Sequence, residues 1–254
     1  MEELLSLNLE KNFTSYSGEI YRIVEGQHFI ATRKLVDSDE EQRILEEILD
    51  ASKPSAPTYN KRGELHYLLY TPFRYPPLKT GGRFHTRLEQ SIFYGSEELK
   101  TSMAEVAYGR FLFMHHSEAE FLSMQVPYTH FMTQVKSTKS ILLNSAQFKK
   151  HWEAISHPSS YAASQSLGAA MRKAGTELFT YQSARNHDGV NVGVFSVEAF
   201  SSNKPVPGKD VHWEVFITSK SVEFKRAHFG DNQTEAHIFP LENFCINGIF
   251  ASAA

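Results

Sequence analysis

Apolar and polar positions alternate with period two over several stretches of the chain and recur with helical spacing over others. From Glu19 to Glu25 the alternation puts Ile20, Arg22 and Val24 on one face and Tyr21 and Ile23 on the other, which predicts a strand. Asp37-Ser38-Asp39 is a capping cluster ahead of a helix over about 40–51, with Ile44, Leu45, Ile48 and Leu49 on one stripe and glutamates opposite. Lys53-Pro54-Ser55-Ala56-Pro57 ends that helix and reads as a linker. Residues 1–63 thus form an expected N-terminal extension, one strand and one helix, ahead of a main domain over 64–254.

Within that domain, 65–70 predicts a strand broken by Pro72 and by Pro76-Pro77, which would hold Arg74 on stiff, extended backbone. Ile92 to Tyr94 predicts a short strand. Gly95-Ser96 then turns the chain, and Ser96 is placed to cap a helix over 97–115. The span 121–143 alternates and is rich in aromatic and β-branched residues, which predicts two strands around a turn at Lys136-Ser137-Thr138-Lys139. Helical segments follow over 147–155 and 161–174, the second stopped by Gly175. The segment 177–182 reads as a strand running into a polar turn with Ser183 and Arg185, and 191–200 as its return. A hairpin over 211–226 turns at Ser219-Lys220, and the Ala-Ser-Ala-Ala tail is expected to fray.

Composition narrows the picture. Apolar residues make up 41% of the 254, with 19 Phe and 11 Tyr, enough for a sizeable core heavy in aromatics. The formal charge is -3 with no long basic block, which disfavours a nucleic-acid surface. One cysteine, Cys245, excludes an internal disulfide and sits in an apolar run where a small buried hydrophobe is expected. The start, MEELLSLNLEKNF, lacks a signal-peptide apolar core, and no apolar run approaches the ~20 residues of a membrane span. A soluble cytoplasmic protein is expected. His115-His116 are adjacent, so on a helix they point about 100° apart; with no HxxxH or CxxC nearby, no metal site is expected.

The chemistry concentrates between Thr71 and Arg110. Two arginines, Arg74 and Arg83, flank a segment rich in Pro and Gly. Tyr94 supplies an aromatic hydroxyl, and Glu105 is the only acid in the interior of the following helix, beside Ser102 and Gly109 at helical spacing. Guanidinium forks suit phosphate oxygens, and a carboxylate suits a sugar hydroxyl or a developing cation. The pairing suggests a phosphate-containing substrate with a sugar at its reacting end.

FRYPPLKTGGRF, then IFYGSEELKTSMAEVAY, then ELFTYQSARN with NVGVF beyond it, resemble the RES domain family, named for its Arg, Glu and Ser; the resemblance covers about 65–200. It implies an ADP-ribosyltransferase-like fold, α+β, with mostly antiparallel split sheets flanked by helices. It also implies the NAD-degrading toxin of a toxin–antitoxin pair whose partner is a helix-turn-helix antitoxin of the Xre type. Carried over by position, the family arginine is Arg74, the second arginine Arg83, the tyrosine Tyr94 and the glutamate Glu105. The serine is Ser183, or Ser164 where members place it near the start of the preceding helix.

The implied reaction is cleavage of the nicotinamide–ribose bond. Glu105 would stabilise the ribosyl cation, Arg74 and Arg83 would clamp the pyrophosphate, and Tyr94 and Ser183 would bond the nicotinamide and ribose. NAD would be substrate rather than cofactor. Inorganic phosphate as acceptor makes the enzyme a phosphorylase, water a glycohydrolase, a protein side chain an ADP-ribosyltransferase. An inactive NAD-sensing or partner-binding module is the alternative from another class. A homodimer is also open.

Overall fold

The structure, a computed structural model, describes residues 8–26, 35–55, 64–118, 123–227 and 234–253. Ala56, Pro57, Phe121 and Ala254, which belong to segments discussed above, lie outside the described residues.

Among the described residues, ten strands and five α-helices form an α+β architecture with one large sheet. The strands are β1 (Thr14–Glu25), β2 (Phe93–Ser96), β3 (Ser123–Leu142), β4 (Leu178–Gln182), β5 (Val190–Val194), β6 (Val211–Thr218), β7 (Ser221–Ala227), β8 (Thr234–Pro240), β9 (Cys245–Ile246) and β10 (Ile249–Phe250). The helices are α1 (Asp39–Ser52), α2 (Tyr67–Arg74), α3 (Leu99–His116), α4 (Trp152–Ile155) and α5 (Ala162–Lys173). Eight strands run in the order β1-β2-β5-β4-β3-β6-β7-β8, and β9 and β10 form a separate hairpin. Every pairing is antiparallel except β3 with β4. The sheet is continuous rather than split, and it curls: β1 pairs with β2 through Tyr21 and Ser96, and with β3 from Thr14 to Glu25. The β1, β2, β5, β4 and β3 segment therefore closes on itself. Strand β1, assigned by sequence to an extension, is hydrogen-bonded into the middle of this arrangement.

The predicted faces of β1 separate two cores. Ile20 packs inside the curl with Phe93, Phe131, Val135, Val192 and Val194, while Ile23 packs on the other side against α3, Trp213 and Phe224. A third cluster lies between β4 and α5, built on Phe84, Phe179, Leu167 and Met171.

Several local expectations are overturned. Residues 67–74 are helical, not a strand, because Leu65, Leu69 and Phe73, all buried, recur every four residues; His66 caps the helix by accepting from the Leu68 amide. Arg74 therefore sits at a helix end, not on extended backbone. The expected turn at Lys136–Lys139 is absent. Ser137 and Ser140 make the turn-like bonds their type favours, yet β3 runs through them because β1 pairs along its edge, absorbing the irregularity as a register shift between Thr14 and Tyr16. Ser96 does not cap α3; it ends β2 and donates to Asn191 Oδ1 at 2.6 Å, leaving Glu98 at the cap position with no side-chain bond. The tail is held: Ala251 and Ala253 are buried, and Tyr108 Oη donates to the Ala251 carbonyl and accepts from the Ala253 amide. Cys245 is half-buried, its thiol directed at the Leu241 carbonyl. The stripe on α1 is largely exposed at Ile44, Ile48 and Leu49.

Candidate active site

The sequence builds the site from four pieces of backbone. The first is the loop 78–85. Gly81 has φ +73°, and a Cβ there would lie 2.3 Å from the His85 carbonyl oxygen, so only glycine permits this turn. Gly82 and His85 bridge across it. Helix α5 clamps the loop from outside. Gly168 brings the helix so close to Phe84 that an added Cβ would meet its carbonyl oxygen at 2.0 Å, and Gln165 Nε2 donates to the Gly82 carbonyl at 3.1 Å. Arg83 projects from this clamped loop.

The second piece is β1, which carries Arg22 beside the β2 residue Tyr94. The third is α3, docked on β1 by the Ser102 hydroxyl donating to the Tyr21 carbonyl at 2.9 Å, and carrying Glu105. The fourth is the β4–β5 hairpin. Ser183 begins its turn and accepts from the amides of Arg185 and Asn186, while Asn186 donates to Thr101 on α3. That last bond holds the turn against the helix one turn before Glu105.

Glu105 is the hub. Its Oε1 accepts from Ser183 Oγ at 2.8 Å and from Asn191 Nδ2 at 2.5 Å, and Asn191 is itself oriented by Ser96. Oε2 has no partner among the described residues. One oxygen is thus fixed by two neutral donors while the other is unengaged among the described residues.

Arg83, Tyr94 and Glu105 line one cleft, together with Arg22, Tyr161, Tyr181 and Asn191; the cavity volume is about 410 Å³. Arg83 is buried, spans the Ile155 and His157 carbonyls, and stacks 4.6 Å over the Tyr161 ring. Arg22 donates to the Tyr94 carbonyl at 2.5 Å and sits 4.7 Å over the Phe93 ring, with its buried Nε unpartnered. Burial pulls the Arg22 guanidinium down to about 10, so it remains charged at neutral pH. Neither arginine forms an ion pair with a described carboxylate. Among the described residues two sequestered cations and one carboxylate leave a net positive cleft, and an unpaired buried charge is costly unless an anion neutralises it. Burial raises the phenol of Tyr94 far above its ordinary value, and burial with the Glu105 charge does the same to Tyr181; both stay neutral hydrogen-bonding groups.

Of the residues selected from sequence, then, Arg83, Tyr94 and Glu105 share the cleft, and Ser183 bonds Glu105 directly. Ser183 is both a turn serine and a carboxylate partner. Ser164 is fully buried, donates to the Tyr161 carbonyl and does not line the cleft. Arg74 does not join them: its Nε donates to the Pro54 carbonyl, and it lines no part of the cleft. The physical reason is α2, whose helical turn carries Arg74 away from where an extended segment would aim it. The second guanidinium lining the cleft is that of Arg22. Its signal was legible as a charged residue on the apolar face of an amphipathic strand, where arginine is rarely left without purpose. Asn191 was legible more faintly, as a polar residue inside a valine-rich strand. Tyr161 had no local signal.

No group of three or more His, Cys, Asp or Glu side chains converges on a metal-sized point among the described residues. No helix among them is long and apolar enough to cross a membrane.

The fold and the cleft together define an α+β protein in which one carboxylate, held by neutral donors, shares a cleft with two guanidinium groups among the described residues. The family model of the RES domain matches residues 60–214, well over half of the chain, and the chain belongs to that family. No curated protein sequence matches it. Among solved structures, a chain of the M. tuberculosis MbcT–MbcA toxin–antitoxin complex is similar at 14% identity and a TM-score of 0.45, over 85% of this chain and 94% of that one.

Proposed function

We propose that this protein consumes NAD by breaking the bond between nicotinamide and ribose, and that it acts as the toxin of a toxin–antitoxin pair. The observation that carries the reading is the half-occupied carboxylate: Glu105 Oε1 held by Ser183 and Asn191, Oε2 open, in a cleft where Arg22 and Arg83 lack anionic partners. The pyrophosphate supplies the missing negative charge. As the C–N bond breaks, its electron pair passes to the nicotinamide ring nitrogen, which becomes neutral, so no general acid is required. The ribose ring is left as an oxocarbenium-like cation, and Glu105 stabilises it electrostatically. An acceptor oxygen from phosphate or water then bonds to the ribose C1, water releasing one proton. Phosphorylase or glycohydrolase is the finer form of the proposal, with ADP-ribosyl transfer to a protein as the competing outcome. The likeness to ADP-ribosyltransferases and an Xre-type antitoxin as partner belong to the same proposal, supported by RES family membership.

The test is NAD loss from purified protein, with and without inorganic phosphate, beside Glu105→Gln. The expected result is turnover in the wild type and none in Glu105→Gln, whose amide retains an oxygen for Ser183. Undiminished turnover in that variant refutes the role of Glu105. Mass spectrometry of added protein separates transfer from hydrolysis.

A further inference from the structure

A second cavity of about 450 Å³ adjoins the cleft. Arg22, Leu78, Gly81, Gly82 and Tyr94 belong to the walls of both. Its remaining wall has a different character. Tyr67, Thr71 and Pro72 come from α2, and Tyr75, Pro76 and Pro77 from the segment that follows it. We propose that this lobe is a subsite for a neutral planar base, the adenine end of the dinucleotide, with Arg22 at the junction gripping the linking phosphates. The inference rests on the NAD reading and adds where the non-reacting half is held.

Four observations support it. Among the described residues Arg22 is the only charged side chain lining the lobe, and it lines the adjoining cleft as well. His85, the other titratable nitrogen group there, is held neutral, its pKa drawn down to about 4 by burial and by the Arg172 charge, with Glu89 opposing. Tyr67 and Tyr75 are exposed residues, 43% and 39%, that line this cavity rather than the core, Tyr67 with its ring also against His66. The Ser91 hydroxyl has no partner among the described residues, and Thr71 Oγ1 donates to the Tyr67 carbonyl while keeping acceptor capacity. An uncharged, aromatic and proline-lined space with a few neutral polar edges fits a heterocyclic base, which binds by stacking plus edge hydrogen bonds. Among the described residues, a free phosphate or a charged peptide would find one cation and no further charged partner.

The lobe also gives α2 a purpose. The helix that removes Arg74 from the site builds the wall that would hold the base.

The experiment is calorimetric titration with ADP-ribose, AMP and ribose 5-phosphate on the full chain. Two variants accompany the wild type: Thr71→Trp, which fills the lobe, and Tyr75→Ala, which removes a rim ring. The expected result is AMP binding tighter than ribose 5-phosphate, and ADP-ribose affinity falling roughly tenfold or more in Thr71→Trp and several-fold in Tyr75→Ala. If Thr71→Trp does not fold, the exposed Tyr75 substitution decides. ADP-ribose binding at wild-type affinity in the folded variants, or AMP no tighter than ribose 5-phosphate, overturns the assignment. That result alongside intact NAD turnover sinks the lobe alone; an absence of NAD turnover in the wild type sinks the reading beneath it.

Discussion

Two arginines make opposite demands on the same activity assay, and the structure states which should matter. Among the described residues Arg22 lines the cleft with no anionic partner, while Arg74, the last residue of α2, donates to the Pro54 carbonyl. A guanidinium fork can give a phosphate two charge-assisted hydrogen bonds, each worth about 1.5–3 kcal/mol. Arg22→Lys keeps the charge and one such bond, so the loss is about 2 kcal/mol, roughly thirtyfold in kcat/KM. Arg22→Gln removes the charge and both bonds, about 4 kcal/mol, on the order of a thousandfold. Arg74→Gln alters a surface contact and should change kcat/KM by about twofold or less. The assay is steady-state NAD consumption, with thermal melts beside it because Arg22 also satisfies the Tyr94 carbonyl and stacks on Phe93. A melt lowered in Arg22→Gln but not in Arg22→Lys would assign part of the larger loss to folding, leaving the lysine variant as the clean comparison. A tenfold or greater loss in Arg74→Gln, with Arg22→Lys near wild type, would refute the placement of the anion site.

Other expectations follow from single contacts. Asn191→Ala removes one of the two donors to Glu105 Oε1, so kcat should fall about tenfold to a hundredfold while ADP-ribose affinity changes little; an equal rise in KM alone would contradict an orienting role. Gly168→Ala gains up to about 1 kcal/mol of helix propensity but drives a methyl into the Phe84 carbonyl, so a net loss of about 1–3 kcal/mol in melting experiments is expected, together with weaker catalysis as the Arg83 loop shifts. Gly109→Ala, with nothing within 4 Å, should stabilise α3 by up to about 1 kcal/mol. His85 and His130 are both held neutral at about 4, His130 by burial first and the Arg226 charge second. The unfolded chain then binds more protons between the ordinary histidine value and pH 4, so stability is full above that window and falls as pH drops through it. His130→Gln, which can still accept from Trp213, should flatten the melting profile between pH 6.5 and 4; an unchanged profile would contradict the assignment.

The sequence by itself determined what short-range patterning and backbone stereochemistry control. The two faces of β1, the Gly81-Gly82 turn that presents Arg83, the isolation of Glu105 on its helix and the polar turn at Ser183 follow from residue type and spacing. So does the family, because its motifs lie in consecutive runs. Tertiary structure decided whatever depends on partners distant along the chain. Pro72, with Pro76-Pro77 just beyond, reads as a break in an extended segment, yet burial of Leu65, Leu69 and Phe73 in one core makes 67–74 a helix and carries Arg74 away from the cleft. The serines of β3 favour a turn, but a full edge of β1 hydrogen bonds outweighs them. Arg22, 83 residues before Glu105 in sequence, and Asn191, 86 after it, meet that carboxylate's cleft only because the sheet curls until β1 touches both β2 and β3. Local chemistry selects the groups; closure of the sheet selects which of them share a ligand.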